Sequence, residues 1–317
     1  MSNTYFEILR PGINTTIQDN GRNHMYHLGI TVSGAIDQRN YKLSNKLVNN
    51  DLNQAVVEFA YQGPLLKLKN GKINFSITGD VLFKIIKQNS KIEDGVCYKN
   101  YILEDEDQID IISTKNTAYG YLSVNGGFEL EKVWNSYSTN TKANVGSNNG
   151  KKYSIEDKIF IKNSNLQISK EIKINYNNFS DNIIRVIKGT NFDYFSNESQ
   201  NIFFNKEFSV TKLADRMGIR LSGHNLENII NTNIKSEGLV RGTIQVPADG
   251  NPIIMLSDHG TIGGYPKIGV VISADLDRVG QLIPGSAINF KEVSLEEAQN
   301  IFKAYTDDTN KYLNECN

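Results

Sequence analysis

Three side chains with chemical potential fall in one short stretch, Asp258-His259-Gly260-Thr261-Ile262-Gly263-Gly264-Tyr265-Pro266-Lys267. A carboxylate such as Asp258 can take a proton or hold a cation. The Lys267 ammonium can neutralise a developing anion, and the Tyr265 phenol can stack or donate. Gly263 and Gly264 allow close approach of a ligand to the backbone or a positive φ. Two further turns set an acid beside arginine around a glycine: Gln18-Asp19-Asn20-Gly21-Arg22 and Asp215-Arg216-Met217-Gly218-Ile219-Arg220. Arginine can clamp carboxylate or phosphate in bidentate fashion. An ion pair internal to each turn accounts for the same residues, and an ordinary surface loop accounts for the first stretch. Glu58 lies inside an apolar run, where burial would require a partner or a raised pKa.

Other motifs carry less. His24 and His27 have the spacing of two ligands on a helix but no third ligand nearby, so no metal site is expected. Gly146-Ser147-Asn148-Asn149-Gly150-Lys151 has the wrong glycine spacing for a phosphate loop and no Ser or Thr after its lysine. The acidic run Glu104–Asp107 reads as a solvated hairpin tip. Cys97 and Cys316 offer neither a disulfide framework nor zinc spacing.

The elements that must hold these residues are mostly strands. Gly242–Val246 and Pro252–Ser257 flank Pro247-Ala248-Asp249-Gly250, which is turn chemistry, so they form a hairpin. Asp258 then stands where a buried strand gives way to a loop. Short β-rich runs such as Val56–Ala60, Leu65–Leu68, Ile73–Thr78, Leu82–Lys87, Ile109–Ile112 and Tyr119–Val124 predict a barrel or sandwich. Leu103–Ile111, Ile155–Ile161 and Leu282–Phe290 share a turn followed by Ile-x-Ile or Ile-x-Phe, a weak internal echo that suits closing strands. Helices are expected mostly at Ala35–Asn49, with Ser33 as N-cap, and after Ser294, where Ser294 and Glu297 form a capping box. The long polar stretch Asn135–Lys152 is expected to be functional or disordered. The Asn-, Ser- and Lys-rich stretch Lys162–Asn182 predicts a boundary between a β lobe over residues 1–170 and a barrel lobe with a C-terminal helix over 171–317.

The 317 residues suffice for a sizeable core, and the net charge of −1 gives no basic field for nucleic acid or an anionic membrane. No apolar run reaches the roughly 18 residues that span a bilayer. The N-terminus lacks a signal-peptide layout, so a cytoplasmic setting is expected.

Taken together the motifs resemble the allophanate hydrolase subunit 2 family, also called KipA-like, to which the C subunit of 5-oxoprolinase belongs. The resemblance rests on Arg10-Pro11-Gly12, Gln18–Arg22, Ser33-Gly34-Ala35-Ile36-Asp37, Asp215–Gly218 and Gln245-Val246-Pro247. Its most specific part is Gly263-Gly264-Tyr265-Pro266-Lys267-Ile268 leading to Ser273-Ala274-Asp275-Leu276. It implies a mainly β, cyclophilin-like barrel architecture in two lobes with few peripheral helices. It also implies two partners, the KipI-like B-type chain of 5-oxoprolinase and a further A-type chain. One departure stands out: the family's Ser-Arg-Ser-Thr-Asp-like run reads Ser136-Tyr137-Ser138-Thr139-Asn140 here.

The activity implied is the ATP-dependent opening of 5-oxoproline to L-glutamate, with ATP and Mg²⁺ as cofactors. In that reading Arg22, Arg216 and Lys267 are the cations for a transferring phosphoryl group. Asp258 holds Mg²⁺ or acts as base, and Tyr265 orients the substrate. Asp19, Ser33, Glu58, Gln245, Gly263 and Gly264 complete the binding set. The alternatives are the carboxyltransferase part of a biotin-dependent urea or amide carboxylase and a non-catalytic antagonist of a KipI-like kinase inhibitor. This chain has no Met-Lys-Met-like biotinylation site, so any biotin would sit on another protein.

Overall fold

Runs of β-branched and aromatic residues, cut by glycine, proline and asparagine, form strands along most of the chain. The computed structural model describes residues 3–162, 171–176, 182–230 and 233–315. It divides into two units. The first is Met1–Arg22, Ser33–Asn178 and Thr309–Asn317, and the second is Asn23–Val32 and Phe179–Asp308. The expected boundary stretch Lys162–Asn182 lies largely outside the described residues, as does Cys316.

In the first unit the strands are β1 (Tyr5–Arg10), β2 (Asn14–Gln18), β3 (Val56–Ala60), β4 (Leu65–Lys69), β5 (Ile73–Thr78) and β6 (Val81–Ile86). They continue with β7 (Ile92–Asp94), β8 (Lys99–Leu103), β9 (Gln108–Thr114), β10 (Tyr119–Val124) and β11 (Lys158–Phe160). One sheet has the order β11-β1-β4-β9-β6-β7 and the other β2-β3-β10-β5-β8. Phe6, Ile8, Phe59, Phe75, Phe83, Ile109 and Leu122 share the apolar core. Alternate residues of β1 and β4 are buried, as a half-covered strand requires, whereas β5 and β10 are buried throughout. The cover is helix α1 (Gln38–Leu47), attached by polar contacts. The Ser44 and Ser123 hydroxyls lie 2.8 Å apart, and Thr78 Oγ1 donates to the Asn40 carbonyl at 2.8 Å.

The N-cap of α1 is Asp37, not Ser33: the Asp37 carboxylate accepts from the Asn40 amide. Ser33 and Gly34 are both left-handed, with φ of 57° and 81°, so the chain is still turning there. The helix therefore occupies less than the expected Ala35–Asn49. The tip Glu104–Asp107 is tied down by lysines: Glu104 to Lys72, Glu106 to Lys67 and Lys69, and Asp107 to Lys87.

The second unit contains β12 (Ile183–Lys188), β13 (Phe208–Ala214), β14 (Gly218–Ser222), β15 (Glu237–Gly238) and β16 (Thr243–Gln245). The remaining strands are β17 (Ile253–Met255), β18 (Ile262–Gly263), β19 (Lys267–Val271) and β20 (Ala287–Glu292). Seven of them close a barrel in the order β12-β19-β16-β17-β14-β13-β20, sealed by a parallel pairing of β12 with β20. β15 and β18 form a separate two-stranded ribbon. The mainly β architecture with a closed barrel matches the expectation from the short strands. Two helices have no clear signal in the sequence: α2 (Asn197–Asn205), capped by Ser196, and the short α3 (Leu276–Gly280). Phe203 of α2 stacks on Phe290 of β20, with ring centroids 4.5 Å apart. The final helix α4 (Leu295–Glu315) starts with the expected capping box. The Ser294 amide donates to Glu297, and the Glu297 amide donates to the Ser294 hydroxyl.

Candidate functional site

The Pro247–Gly250 turn closes as its chemistry demands, with the Gly250 amide donating to the Pro247 carbonyl at 3.0 Å. It sets β16 against β17, Ile244 opposite Ile254. Soon after β17 leaves the barrel, the Asp258 amide donates to the Arg216 carbonyl at 2.8 Å. In return, Arg216 Nε and Nη2 donate to the two carboxylate oxygens of Asp258 at 2.8 and 3.1 Å. Asp215 shapes the neighbouring turn by accepting from the Met217 and Gly218 amides. Both members of the Arg216–Asp258 pair are buried. Of the two readings open from sequence, the structure shows the ion pair, and it joins two turns rather than lying within one. Both Asp258 oxygens are thus engaged by the guanidinium.

His259, next in the chain, is buried as well. Its Nδ1 lies 2.6 Å from the Gly260 carbonyl, which fixes the hydrogen on Nδ1 and leaves the Nε2 lone pair as acceptor. The Tyr26 hydroxyl is 3.4 Å from Nε2. Burial pushes the His259 pKa below its ordinary value and nearby Arg241 adds to this, against the Gly260 hydrogen bond and the Asp258 charge. Burial also raises the Tyr26 pKa. Near pH 7 the pair is thus a neutral imidazole accepting from a protonated phenol. Tyr26, at 37 % exposure, is the member open to solvent.

Lys267 begins β19 and is buried, whereas an ordinary surface loop would leave it exposed. Its amide donates to Asn191 Oδ1 at 3.1 Å and its Nζ to the Glu237 carboxylate at 2.6 Å. Gln245 Nε2 donates to the Tyr265 carbonyl at 3.1 Å. Neither Gly263 nor Gly264 takes a positive φ. Gly263 instead meets the Gln245 side chain so closely that an added Cβ would lie 2.6 Å from Nε2. Its missing side chain serves packing within the protein.

The first unit holds the other expected residues in a buried polar cluster. Asp19 Oδ1 accepts from the Gly21 amide at 2.8 Å and from the Ser136 and Ser138 hydroxyls at 2.7 and 2.5 Å. Its Oδ2 accepts from the Tyr137 amide at 2.7 Å. Arg22 donates to the Val133 and Ser138 carbonyls at 3.3 and 2.6 Å. Glu58, fully buried, accepts from the Ile36 amide at 2.8 Å, so it has the partner that its burial required. Ser33 Oγ accepts from Asn140 Nδ2 at 3.2 Å. The polar stretch after Asn135 is therefore an ordered loop, with Ser136, Ser138, Thr139 and Asn140 buried. Tyr137 contacts Asp19 through its backbone, so exchanging its side chain leaves that bond intact. Asn140 donates to Ser33 through an amide that an aspartate would lack.

The expected residues thus fall into two groups. Asp258 and Arg216 meet, with Lys267, Gln245, Gly263, Gly264 and Tyr265 in the same unit. Asp19, Arg22, Ser33 and Glu58 belong to the other. Sequence reasoning missed His259, Tyr26 and Glu237. The first was signalled only by its place beside Asp258, and the other two lie far from that loop in sequence. Among the described residues, no group of three or more His, Cys, Asp or Glu is placed to hold a metal ion. No helix among them is long and apolar enough to cross a membrane.

A family model described as carboxyltransferase domain, subdomain A and B, matches residues 28–292. The C subunit of 5-oxoprolinase from Haemophilus influenzae is 32% identical over 314 residues, covering 98% of this chain and 99% of that protein. The protein of the same name from Escherichia coli is 30% identical over 296 residues, covering 92% of each. The crystal structure of K. lactis urea amidolyase matches with a TM-score of 0.88 at 24% identity, over 98% of this chain and 20% of that one.

Proposed function

Because the chain belongs to the carboxyltransferase domain, subdomain A and B, family, we propose that it is the C subunit of a multi-subunit 5-oxoprolinase. The end-to-end similarity to two proteins of that name carries the reading. The reaction opens 5-oxoproline to L-glutamate with ATP hydrolysis, in the cytoplasm and together with a KipI-like B-type partner and an A-type partner.

A lactam resists water because its nitrogen lone pair is delocalised into the carbonyl. Opening it requires withdrawal of electrons from the carbonyl oxygen, a proton acceptor for the attacking water, and a proton for the departing nitrogen. The Tyr26–His259 pair supplies the last two. His259 Nε2 is the base behind the phenol, and the hydroxyl of the partly exposed Tyr26 is the group assigned to reach the substrate. With the lactam oxygen phosphorylated at the expense of ATP, water adds to the carbonyl carbon and its proton passes toward Nε2. The C–N bond breaks as nitrogen takes a proton back, leaving an acyl phosphate that a second water hydrolyses to glutamate and phosphate. Asp258 and Arg216 hold the loop that carries His259. Arg216, one of the expected phosphate cations, is already engaged by the buried Asp258. We therefore assign ATP and Mg²⁺ to one of the partner chains.

The test is glutamate production from 5-oxoproline and ATP, by this chain alone and with its A-type and B-type partners. Turnover is expected only in the complex, and Tyr26→Phe should lower kcat by about 10²-fold, within the range for lost acid–base catalysis. Undiminished turnover by the two partners without this chain would sink the proposal. The family description supports a second reading, carboxyl transfer from a biotin carried on another protein. Transfer from carboxybiotin to urea or another amide, without 5-oxoproline turnover, would select it.

A further inference from the structure

The two cations of the barrel unit are neutralised in different ways. Arg216 and its partner Asp258 are both enclosed, their side chains 7% and 3% exposed. Lys267 is equally enclosed at 6%, but its partner Glu237 is 46% exposed. An ammonium removed from water requires a counter-charge, and this one is supplied by an arm outside the barrel sheet. Glu237 lies on the ribbon formed by β15 and β18, which pairs only Glu237 with Gly263 and Gly238 with Ile262. Two flanking backbone bonds extend it, from Ile234 to Gly264 and from Leu239 to Thr261, each 2.9 Å. Among the described residues a Cβ on Gly238 would meet nothing within 4 Å, and Ile262 is exposed. The lysine is fixed by its barrel strand and by Asn191, whereas the carboxylate sits at the solvent edge.

We propose that Lys267 is the recognition point for the carboxylate of a small acidic ligand, and that Glu237 occupies that point until the ligand displaces it. A ligand carboxylate placed at Nζ makes the same charge-assisted bond that Glu237 makes now. The displaced Glu237 loses little, because half of it already faces water. Arg216 cannot serve in this way, since freeing it would strand a buried Asp258. Identifying the acid as 5-oxoproline rests on the function proposed above, but carboxylate recognition at Lys267 does not.

The experiment is titration calorimetry of the full chain with 5-oxoproline, L-glutamate and 2-pyrrolidone, the last being the lactam without its carboxylate. Glu237→Gln should tighten 5-oxoproline binding roughly fivefold, the worth of a half-exposed ion pair no longer competing. It should leave 2-pyrrolidone unchanged. Lys267→Met should bind 5-oxoproline no better than 2-pyrrolidone, and Lys267→Arg should restore part of the difference, with thermal unfolding as the folding control. If Glu237→Gln gains affinity for glutamate but not for 5-oxoproline, carboxylate recognition stands and the 5-oxoproline reading falls. If Glu237→Gln binds neither acid more tightly than wild type, or binds nothing, Glu237 is a structural partner only and the inference is overturned.

Discussion

Asp19 in the first unit and Asp258 in the second are both buried carboxylates, yet they are satisfied by opposite means. Asp19 accepts from two backbone amides and two serine hydroxyls drawn from the Gly21 turn and the Ser136–Ser138 loop. Asp258 is held by one guanidinium through two parallel bonds. The neutral arrangement distributes one charge over many small dipoles and makes a junction between distant segments. The ionic arrangement concentrates the interaction in a single partner, so it can be removed or replaced as a unit. The difference separates a cluster that shapes the backbone from a loop that presents His259.

Arg216→Met should produce the largest effect, because it leaves the Asp258 charge buried without its partner. A loss of about 3–5 kcal/mol is expected in denaturant unfolding. The double variant Arg216→Met with Asp258→Leu should recover most of it, since an apolar pair of similar volume carries no stranded charge. If the double variant is as unstable as the single one, the pair is not the separable unit described here.

Asp19→Asn should cost about 2 kcal/mol, the scale of charge-assisted hydrogen bonds exchanged for neutral and partly mismatched ones. Unlike the Arg216 case, no second single substitution should restore stability, because the donors come from four residues. Rescue of Asp19→Asn by Ser138→Ala alone would contradict the distributed picture.

The smallest effect is a pH slope in the second unit. His259 is neutral in the folded state with its pKa pushed below the usual 6.5, so the unfolded chain takes up the proton first as pH falls. The contribution is fully present above about pH 6.5 and is lost as pH drops through the window below that value. His259→Gln should flatten this part of the stability–pH curve. An unchanged slope would assign it to other groups.

The comparison also explains how much of the molecule is legible in its sequence. Local chemistry is: the Pro247–Gly250 turn, the Ser294–Glu297 capping box and the strand punctuation each depend on residues a few positions apart. The cap of α1 is not, because Ser33 and Asp37 are both good cap residues, and only the left-handed turn at Ser33–Gly34 decides between them. Lys267 is expected at the surface because lysine usually lies there. Its burial depends on Glu237, thirty residues earlier on a separate ribbon. The Asp19 junction joins residues more than a hundred positions apart, and no local pattern announces it. For the same reason the Tyr26 hydroxyl opposite His259 has no signal in either neighbourhood.

The parallel seam between β12 and β20 has a consequence for how the chain is made. Ile183 pairs with Asn289 and Val186 with Glu292, so the first and last strands of the barrel are neighbours. During synthesis β12 emerges early in this unit, and β20, its partner across the seam, is made only after β19, its partner on the other side. Pairings of such long sequence separation are slow to form, because the loop entropy is lost before the contact compensates for it. Until then β12 and the other early strands present open edges to any chain nearby. A nascent chain stopped before β20 therefore has no strand with which to seal its barrel, whatever the quality of the strands already made.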